Sequence, residues 1–229
     1  MTAEAGKRAA AVAAIAYIPP GAVIGVGTGS TVTYFIDAIG ESGAGVTRAV
    51  ATSIDTEQRL RRVGISLVAL EDADKPLALY VDGADEIDFL GRAIKGGGGA
   101  HTREKRVASA STAWVCIVDD GKPVDHLGIR APVPLEVEST ALTEVVAAVT
   151  ALGGSPELRA RILTDSGNPL VDVHGLDLFD PLRMEDALEA IPGVIACGIF
   201  ARRRADVILV GREDGSVLTL IPNDEGSSR

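Results

Sequence analysis

Ala22-Val-Ile-Gly-Val26, running straight into Gly27-Thr-Gly-Ser-Thr31, is the stretch that decides the fold. Its first half reads as a short buried strand, and the pattern after Thr31 is helical through Ile39. Between the two, glycines let backbone N–H groups approach an anion, hydroxyls add donors, and a helix N-terminus supplies partial positive charge. The loop lacks the lysine of a P-loop. Its spacing is Gly-x-Gly-x-Gly rather than Gly-x-Gly-x-x-Gly, so a monophosphate suits it better than a dinucleotide. Taken alone, it also reads as a plain helix-capping turn.

The same grammar repeats on both sides. Upstream, an Ala-rich segment from Ala9 to Ile18 reads as a first helix stopped by Pro19-Pro20. Lys7-Arg8 ahead of it imitates a signal peptide, but the apolar stretch is short and leads into a strand that the fold needs. Downstream, Arg48-Ala-Val-Ala51 ends at Thr52-Ser53, and Asp55 precedes a helix with Gln58 placed as in a capping box. Ile65 to Leu70, Ala78 to Val81 and Trp114 to Val118 are further short apolar runs. Strands alternating with helices, and ending in Gly, Ser, Thr or Asp, predict an α/β Rossmann-like parallel-sheet domain with its ligand at the carboxyl ends of the strands.

Beyond Gly128 the pattern changes. Pro132 to Val137 is strand-like, and Thr140 to Leu152 is helical up to Gly153-Gly154. Strands near Leu158–Ile162 and Pro169–His174 flank the turn at Asp165-Ser-Gly-Asn168. A helix over Arg183–Ile191 and a strand over Val194–Phe200 complete β-α-β-β-α-β, the order of a smaller ferredoxin-like α+β domain. Asp206–Val210 and Val217–Ile221 predict a hairpin around Glu213-Asp-Gly215 that rejoins the first domain. The expected division is residues 1–127 plus 204–229 for the Rossmann-like domain and 128–203 for the small one, with a disordered tail from Asn223 to Arg229.

Composition narrows the function. A net charge of −10 argues against broad nucleic-acid binding, and 3% aromatic residues leave little for base stacking. A few local cations can still dominate one cleft for a small anion. No run approaches the ~20 apolar residues of a membrane span. Cys116 and Cys197 sit in apolar runs and read as buried strand residues, which fits a reducing cytoplasm. His101, His126 and His174 have no metal-ligand spacing.

The chemistry concentrates between Asp82 and Lys105. Asp82-Gly-Ala-Asp-Glu-Ile-Asp88 follows the run Leu77–Val81 and should crown a strand. Glu86 and Asp88 read as turn residues capping backbone. A Mg²⁺ site is the rival for this acidic run, but Lys95 and the glycines Gly96, Gly97, Gly98 and Gly99 do not suit a cage of oxygens. Those glycines favour close approach of backbone to a ligand. Glu104 falls in the first turn of a helix starting near Thr102. At an ordinary pKa of about 4.3 it is ionised at neutral pH and able to act as a base. Its other reading, a helix-dipole carboxylate between Arg103 and Lys105, is as good from this segment alone. Lys7 and Lys122 have surface readings as strong as any functional one. Carboxylate, ammonium and exposed amides are together what moving a proton beside a carbonyl requires.

Together these segments resemble the A-type ribose-5-phosphate isomerase family over nearly the whole chain. The resemblance rests on Gly25–Thr31, Thr52-Ser53, Tyr80–Ile87, Ile94–Gly98, Thr102–Lys105, Pro134–Val137, Thr164–Asn168 and Ile191–Val194. It implies aldose–ketose interconversion of ribose 5-phosphate and ribulose 5-phosphate in the non-oxidative pentose phosphate pathway, with no metal or organic cofactor. It also implies a cytoplasmic homodimer, in some members a tetramer. Carried over by position, Glu104 is the base that moves a proton between C2 and C1 through a cis-enediolate. Asp82, Asp85 and Lys95, with Gly83 and Ala84 between the acids, surround the reactive end of the sugar, where they help open the furanose ring and stabilise the developing oxyanion, with amides of Gly96, Gly97 and Gly98 contributing. Thr28, Gly29, Ser30 and Thr31 form the phosphate loop, supported by Lys7 and Lys122. His101 and Gly99 depart from the family's usual aliphatic residue and Ala, and Arg202-Arg-Arg204 carries more charge than is usual before the return hairpin.

Two other classes compete. A sugar-phosphate-sensing module of a transcriptional regulator would lack Glu104 and bring a helix-turn-helix, for which this chain has no N-terminal length. A nicotinamide dehydrogenase would need Gly-x-Gly-x-x-Gly and an acid closing the second strand, where Thr52-Ser53 stands.

Overall fold

The structure, a computed structural model, describes residues 3–74 and 76–222. The chain opens with α1 (Ala3–Ala14), whose helical path tightens into a 3-10 turn before Pro19-Pro20. β1 (Ile24–Val26), α2 (Ser30–Ser42), β2 (Arg48–Ala51), α3 (Ile54–Arg62) and β3 (Ser66–Leu67) follow. β4 (Leu77–Asp82) ends on Asp82 itself. β5 (Glu86–Ile87), β6 (Ala93–Ile94), α4 (His101–Ser109) and β7 (Ser111–Asp119) complete this half. Next come β8 (Val133–Val137), α5 (Leu142–Ala151), β9 (Ser155–Leu163), β10 (Pro169–His174), α6 (Pro181–Glu189) and β11 (Val194–Cys197). β12 (Ile199–Phe200), β13 (Val207–Gly211) and β14 (Val217–Leu220) close the described chain.

The main sheet has the order β14-β13-β7-β4-β1-β2-β3. Only β14 runs antiparallel, paired to β13. Side chains alternate along each strand. Ile24, Val26, Leu79, Val81, Val115 and Ile117 face a layer with Ala10, Ala11 and Phe35 of α1 and α2. Val50, Tyr80, Trp114, Cys116 and Ile208 face the other layer with Val107 and Phe200. Register positions the site: Val26 pairs with both Ala51 and Val81, so Gly27, Thr52 and Asp82 leave the sheet level on one rim.

α1 lies close on this sheet because Gly6 meets Gly211 of β13. A Cβ on Gly6 would lie 2.5 Å from the Gly211 carbonyl oxygen, and one on Gly211 would lie 1.8 Å from that of Gly6. That approach holds Lys7, the next residue, at the rim. The apolar N-terminal segment is thus core helix, with Ala10, Ala11 and Ala14 fully buried.

The smaller sheet has the order β11-β8-β10-β9, all pairs antiparallel, with α5 and α6 in the connections. This is the ferredoxin-like arrangement. The stretch Val194–Phe200, expected as one strand, is two: it turns at Gly198, whose N–H donates to Pro134 O (2.7 Å) and whose carbonyl accepts from Lys95 N (2.9 Å). Its second piece, β12, joins β6 and β5 in a three-stranded antiparallel sheet between the two larger ones.

Other boundaries shift. The cap of α3 is Ser53, whose hydroxyl accepts from Thr56 N at 3.1 Å; Asp55 and Gln58 lie inside the helix. A hydroxyl at the end of β2 reaches the open amides before Asp55 does. The run Ile65–Leu70 pairs only over Ser66–Leu67. Cys116 and Cys197 are free, buried thiols, each pushed up to about 12 by burial. Among the described residues, no helix is long and apolar enough to cross a membrane. The expected tail from Asn223 lies outside the described residues.

Candidate active site

Three rim segments meet at one cleft of about 130 Å³. The first is the loop between β1 and α2. Gly27 is obligatory there: a Cβ would lie 1.9 Å from Cγ of Asp82. Thr28 N–H donates to Asp82 Oδ1 at 3.0 Å, and the Thr28 hydroxyl lies 2.8 Å from that of Thr52. Gly29 caps α2, leaving the first-turn amides of Ser30 and Thr31 at the cleft, which both residues line. Free N–H groups, the dipole of a thirteen-residue helix and two half-buried lysines, Lys7 and Lys122, converge here. Such a corner is electrostatically suited to an anion.

The second segment is the end of β4. Asp82 is fully buried and accepts from Thr28 N, Gly83 N (2.7 Å), the Tyr80 hydroxyl and Lys95 Nζ (2.8 Å). With four donors its carboxylate is satisfied and fixed. Lys95 Nζ also donates to Gly83 O (2.6 Å) and lies 3.3 Å from Glu104 Oε2. Burial works to lower the pKa of the Lys95 ammonium, but Asp82 and Glu104 together outweigh it and raise it, so Lys95 is a fixed cation. Tyr80 is raised well above its ordinary value, by burial first and then by Asp82 and Glu104, and stays a phenol that donates.

Glu104, in the first turn of α4, is only 4% exposed. Lys95 is within ion-pair range of Oε2 but not aligned for a hydrogen bond, so Oε2 has no hydrogen-bond partner. Burial, and then the Asp82 charge, raise the Glu104 carboxyl to about 8, with Lys95 opposing both. The ordinary carboxylate behaviour expected from sequence therefore does not hold, because the helix-end position is also a buried one. A polar atom left free, beside a fixed ammonium and titrating near neutrality, is what a proton-transfer group needs.

The third segment is the glycine run after β6. Gly96 takes φ +110°, a conformation that side chains oppose. Gly97 N–H donates to Asp85 Oδ2 at 2.7 Å, holding that half-buried carboxylate at the cleft wall. Arg159, from β9, donates to the carbonyls of Gly96 (3.2 Å) and Gly97 (3.0 Å). His101 is fully buried beneath Gly96, with Nε2 3.2 Å from Ala196 O. Burial lowers it to about 4, so it is a neutral packing residue behind the loop.

Lys7, Thr28, Gly29, Ser30 and Thr31 line the cleft at one end. Gly83, Ala84, Asp85, Lys95, Gly96, Gly97, Gly98, Glu104 and Lys122 line the remainder. Asp82 stands directly behind, bonded to the lining residues Thr28, Gly83 and Lys95. Glu86 and Asp88 turn away: Glu86 accepts from Gly128, Arg130 and Ala131 amides, and Asp88 from Leu90 N, Arg92 N and the Arg92 side chain. Among the described residues, no three His, Cys, Asp or Glu side chains form a group suited to a metal ion. A larger cavity of about 410 Å³, between α3, β3 and α4, contains none of the predicted site residues.

Sequence reasoning missed Tyr80, Thr52 and Arg159 as parts of this site. Tyr80 had a signal, because the two-residue period of a strand puts it on the same face as Asp82. Thr52 had a weaker one, as a hydroxyl at a strand end. Arg159 had none, since the site carbonyls it meets, Gly96 and Gly97, lie more than 60 residues away.

With this geometry in view, comparison with known proteins is direct. A family model described as ribose 5-phosphate isomerase A (phosphoriboisomerase A) matches residues 48–215. Ribose-5-phosphate isomerase A of Acidithiobacillus ferrooxidans is 51% identical over 217 residues, covering 95% of this chain and 98% of that protein. The crystal structure of ribose 5 phosphate isomerase A from Neisseria gonorrhoeae superposes with a TM-score of 0.94 at 45% identity, covering 97% of this chain and 98% of that one. A D-ribose-5-phosphate isomerase in complex with phospho-erythronic acid superposes at 0.92 with 35% identity, covering 96% and 100%. The chain therefore belongs to the ribose 5-phosphate isomerase A family.

Proposed function

We propose that this cleft interconverts ribose 5-phosphate and ribulose 5-phosphate by moving one proton between C2 and C1. The observation that carries the reading is the Glu104–Lys95 pair, a buried carboxyl with a free oxygen 3.3 Å from a fixed ammonium. The phosphate sits on the α2 N-terminus between Lys7 and Lys122, which sets the sugar's other end beside Asp85, Lys95 and Glu104. Asp85 assists ring opening by exchanging a proton with the ring oxygen or anomeric hydroxyl. Glu104 takes the C2 proton, giving an enediolate, and returns it to C1 while a hydroxyl proton passes from O2 to O1. Lys95 and the glycine amides hold the developing negative charge. Asp82 keeps Lys95 aimed and ties it to the phosphate loop through Thr28, a supporting role rather than proton transfer.

Purified protein incubated with ribose 5-phosphate and a chelator should form ketose, and in D₂O the product should carry deuterium at C1. Absence of ketose contradicts the reading; activity lost to the chelator contradicts its cofactor-free form. Phospho-erythronate, bound by a relative, should compete with substrate here. Family membership also supports a cytoplasmic homodimer and a division at residues 128–203, which sedimentation and limited proteolysis test.

A further inference from the structure

An all-glycine segment has no side chains to hold its peptide planes, and glycine pays the largest entropy cost for being fixed. Gly96, Gly97 and Gly98 nevertheless line the cleft together with Asp85, Lys95 and Glu104. Within the loop the Gly96 carbonyl accepts from Gly99 N–H at 2.9 Å, closing a turn; a second anchor comes from the other domain. Arg159 Nη1 donates to both the Gly96 and the Gly97 carbonyl, at 3.2 and 3.0 Å. Its Nε donates to Asp172 Oδ2 at 2.8 Å and its Nη2 to Oδ1, a two-point pairing that fixes the guanidinium plane. Arg159 and Asp172 stand on the adjacent strands β9 and β10, with side chains only 15% and 19% exposed.

In a trans peptide the carbonyl and the following N–H point in opposite directions. Holding the Gly96 carbonyl on Arg159 turns the Gly97 N–H the other way, where it meets Asp85 Oδ2 at 2.7 Å. Holding the Gly97 carbonyl likewise turns the Gly98 N–H away from Arg159, to the side of the cleft that Gly98 lines. One guanidinium therefore bears on the direction of two successive amides, sharing the Gly96 carbonyl with the Gly99 N–H and adding the hold on the Gly97 carbonyl. We propose that Arg159, clamped by Asp172, is a positioning residue for the reaction: it locks two glycine peptides so that one amide holds Asp85 and the next faces the enediolate oxygen. It makes the small domain part of the catalytic device. The inference rests on the isomerase reading of the cleft.

The test is steady-state kinetics with Arg159→Ala and Arg159→Lys, together with amide hydrogen exchange at Gly97 and Gly98. Misplacing an oxyanion donor without deleting it should lower kcat by roughly 10–100-fold. KM and inhibition by inorganic phosphate should barely move, because the phosphate loop is untouched. Inhibition by phospho-erythronate should weaken. Lysine keeps the charge but cannot span two carbonyls and a carboxylate, so Arg159→Lys should lose part of kcat and exchange Gly97 and Gly98 amides faster. It also decides the matter if the alanine variant does not fold. If Arg159→Lys keeps full kcat and unchanged exchange in an active enzyme, or if Arg159→Ala lowers only thermal stability, the inference is overturned. A wild-type protein that makes no ketose while the lysine variant still exchanges faster would overturn the isomerase reading and leave the lock standing.

Discussion

Glu104 and Lys95 form a buried pair in which each partner favours the other's charged form. Burial raises Glu104 to about 8 and Lys95 opposes that rise, so the base form gains population as pH rises toward 8. In kcat/KM for ribose 5-phosphate, an acid limb should therefore appear far above the ordinary carboxylate range. Lys95→Met removes the opposing charge; that limb should move to still higher pH while the rate at neutral pH falls by at least about tenfold. A limb that stays in place would mean another group carries it. The same shift is a stability statement. A carboxyl raised in the folded state favours folding while protonated, and loses that advantage as pH rises from 4.5, its ordinary value, through about 8. Glu104→Gln should accordingly raise Tm relative to wild type more at pH 9 than at pH 5, read by thermal melts at both.

At the scale of elements, the strand ends build the site. β1, β2 and β4 finish in register, so Gly27, Thr52 and Asp82 share a rim. Gly27→Ala would press a methyl group against the Asp82 carboxylate; it should cost about 1–3 kcal/mol in urea unfolding and lower kcat by displacing Lys95. Much of this was legible beforehand. Apolar runs ending in Gly, Thr or Asp announce strands and their carboxyl ends, whereas the glycine spacing after β1 read as an anion loop or a plain helix-capping turn alike. The three-stranded sheet was not legible, because β5, β6 and β12 are two residues each and too short to show a period. The cap of α3 was misplaced for a related reason: Ser53 and Asp55 both have capping side chains, and only the exit angle of β2 chooses between them. The resemblance likewise pointed to Glu104 as a base, which its own segment left level with a helix-dipole carboxylate, but nothing local pointed to its raised pKa, which depends on burial by distant elements.

Across the whole molecule, the small domain grips α4 and the glycine run from behind. Glu136 of β8 accepts from the Thr102 hydroxyl at the start of α4, and from Thr164 (2.9 Å) and Asn168 (2.7 Å). Lys105, beside Glu104, turns the opposite way to Glu185 (2.6 Å), Glu189 (2.7 Å) and Ile199 O (2.7 Å). Removing it leaves Glu185 buried without its cation; discounted for the partial exposure of Glu189, Lys105→Met should cost about 2–4 kcal/mol in denaturant unfolding. These long-range ties join residues 28 to 94 positions apart, and no local pattern encodes them. The claim that unites them is that the assembled frame exists to let Glu104 move a proton. The most direct measurement is the turnover of ribose 5-phosphate to ribulose 5-phosphate by Glu104→Gln beside wild type, with phospho-erythronate binding as the control for an intact cleft. The expected result is a kcat lower by about 10²–10⁴-fold with binding retained; near-wild-type turnover in that variant would contradict the account.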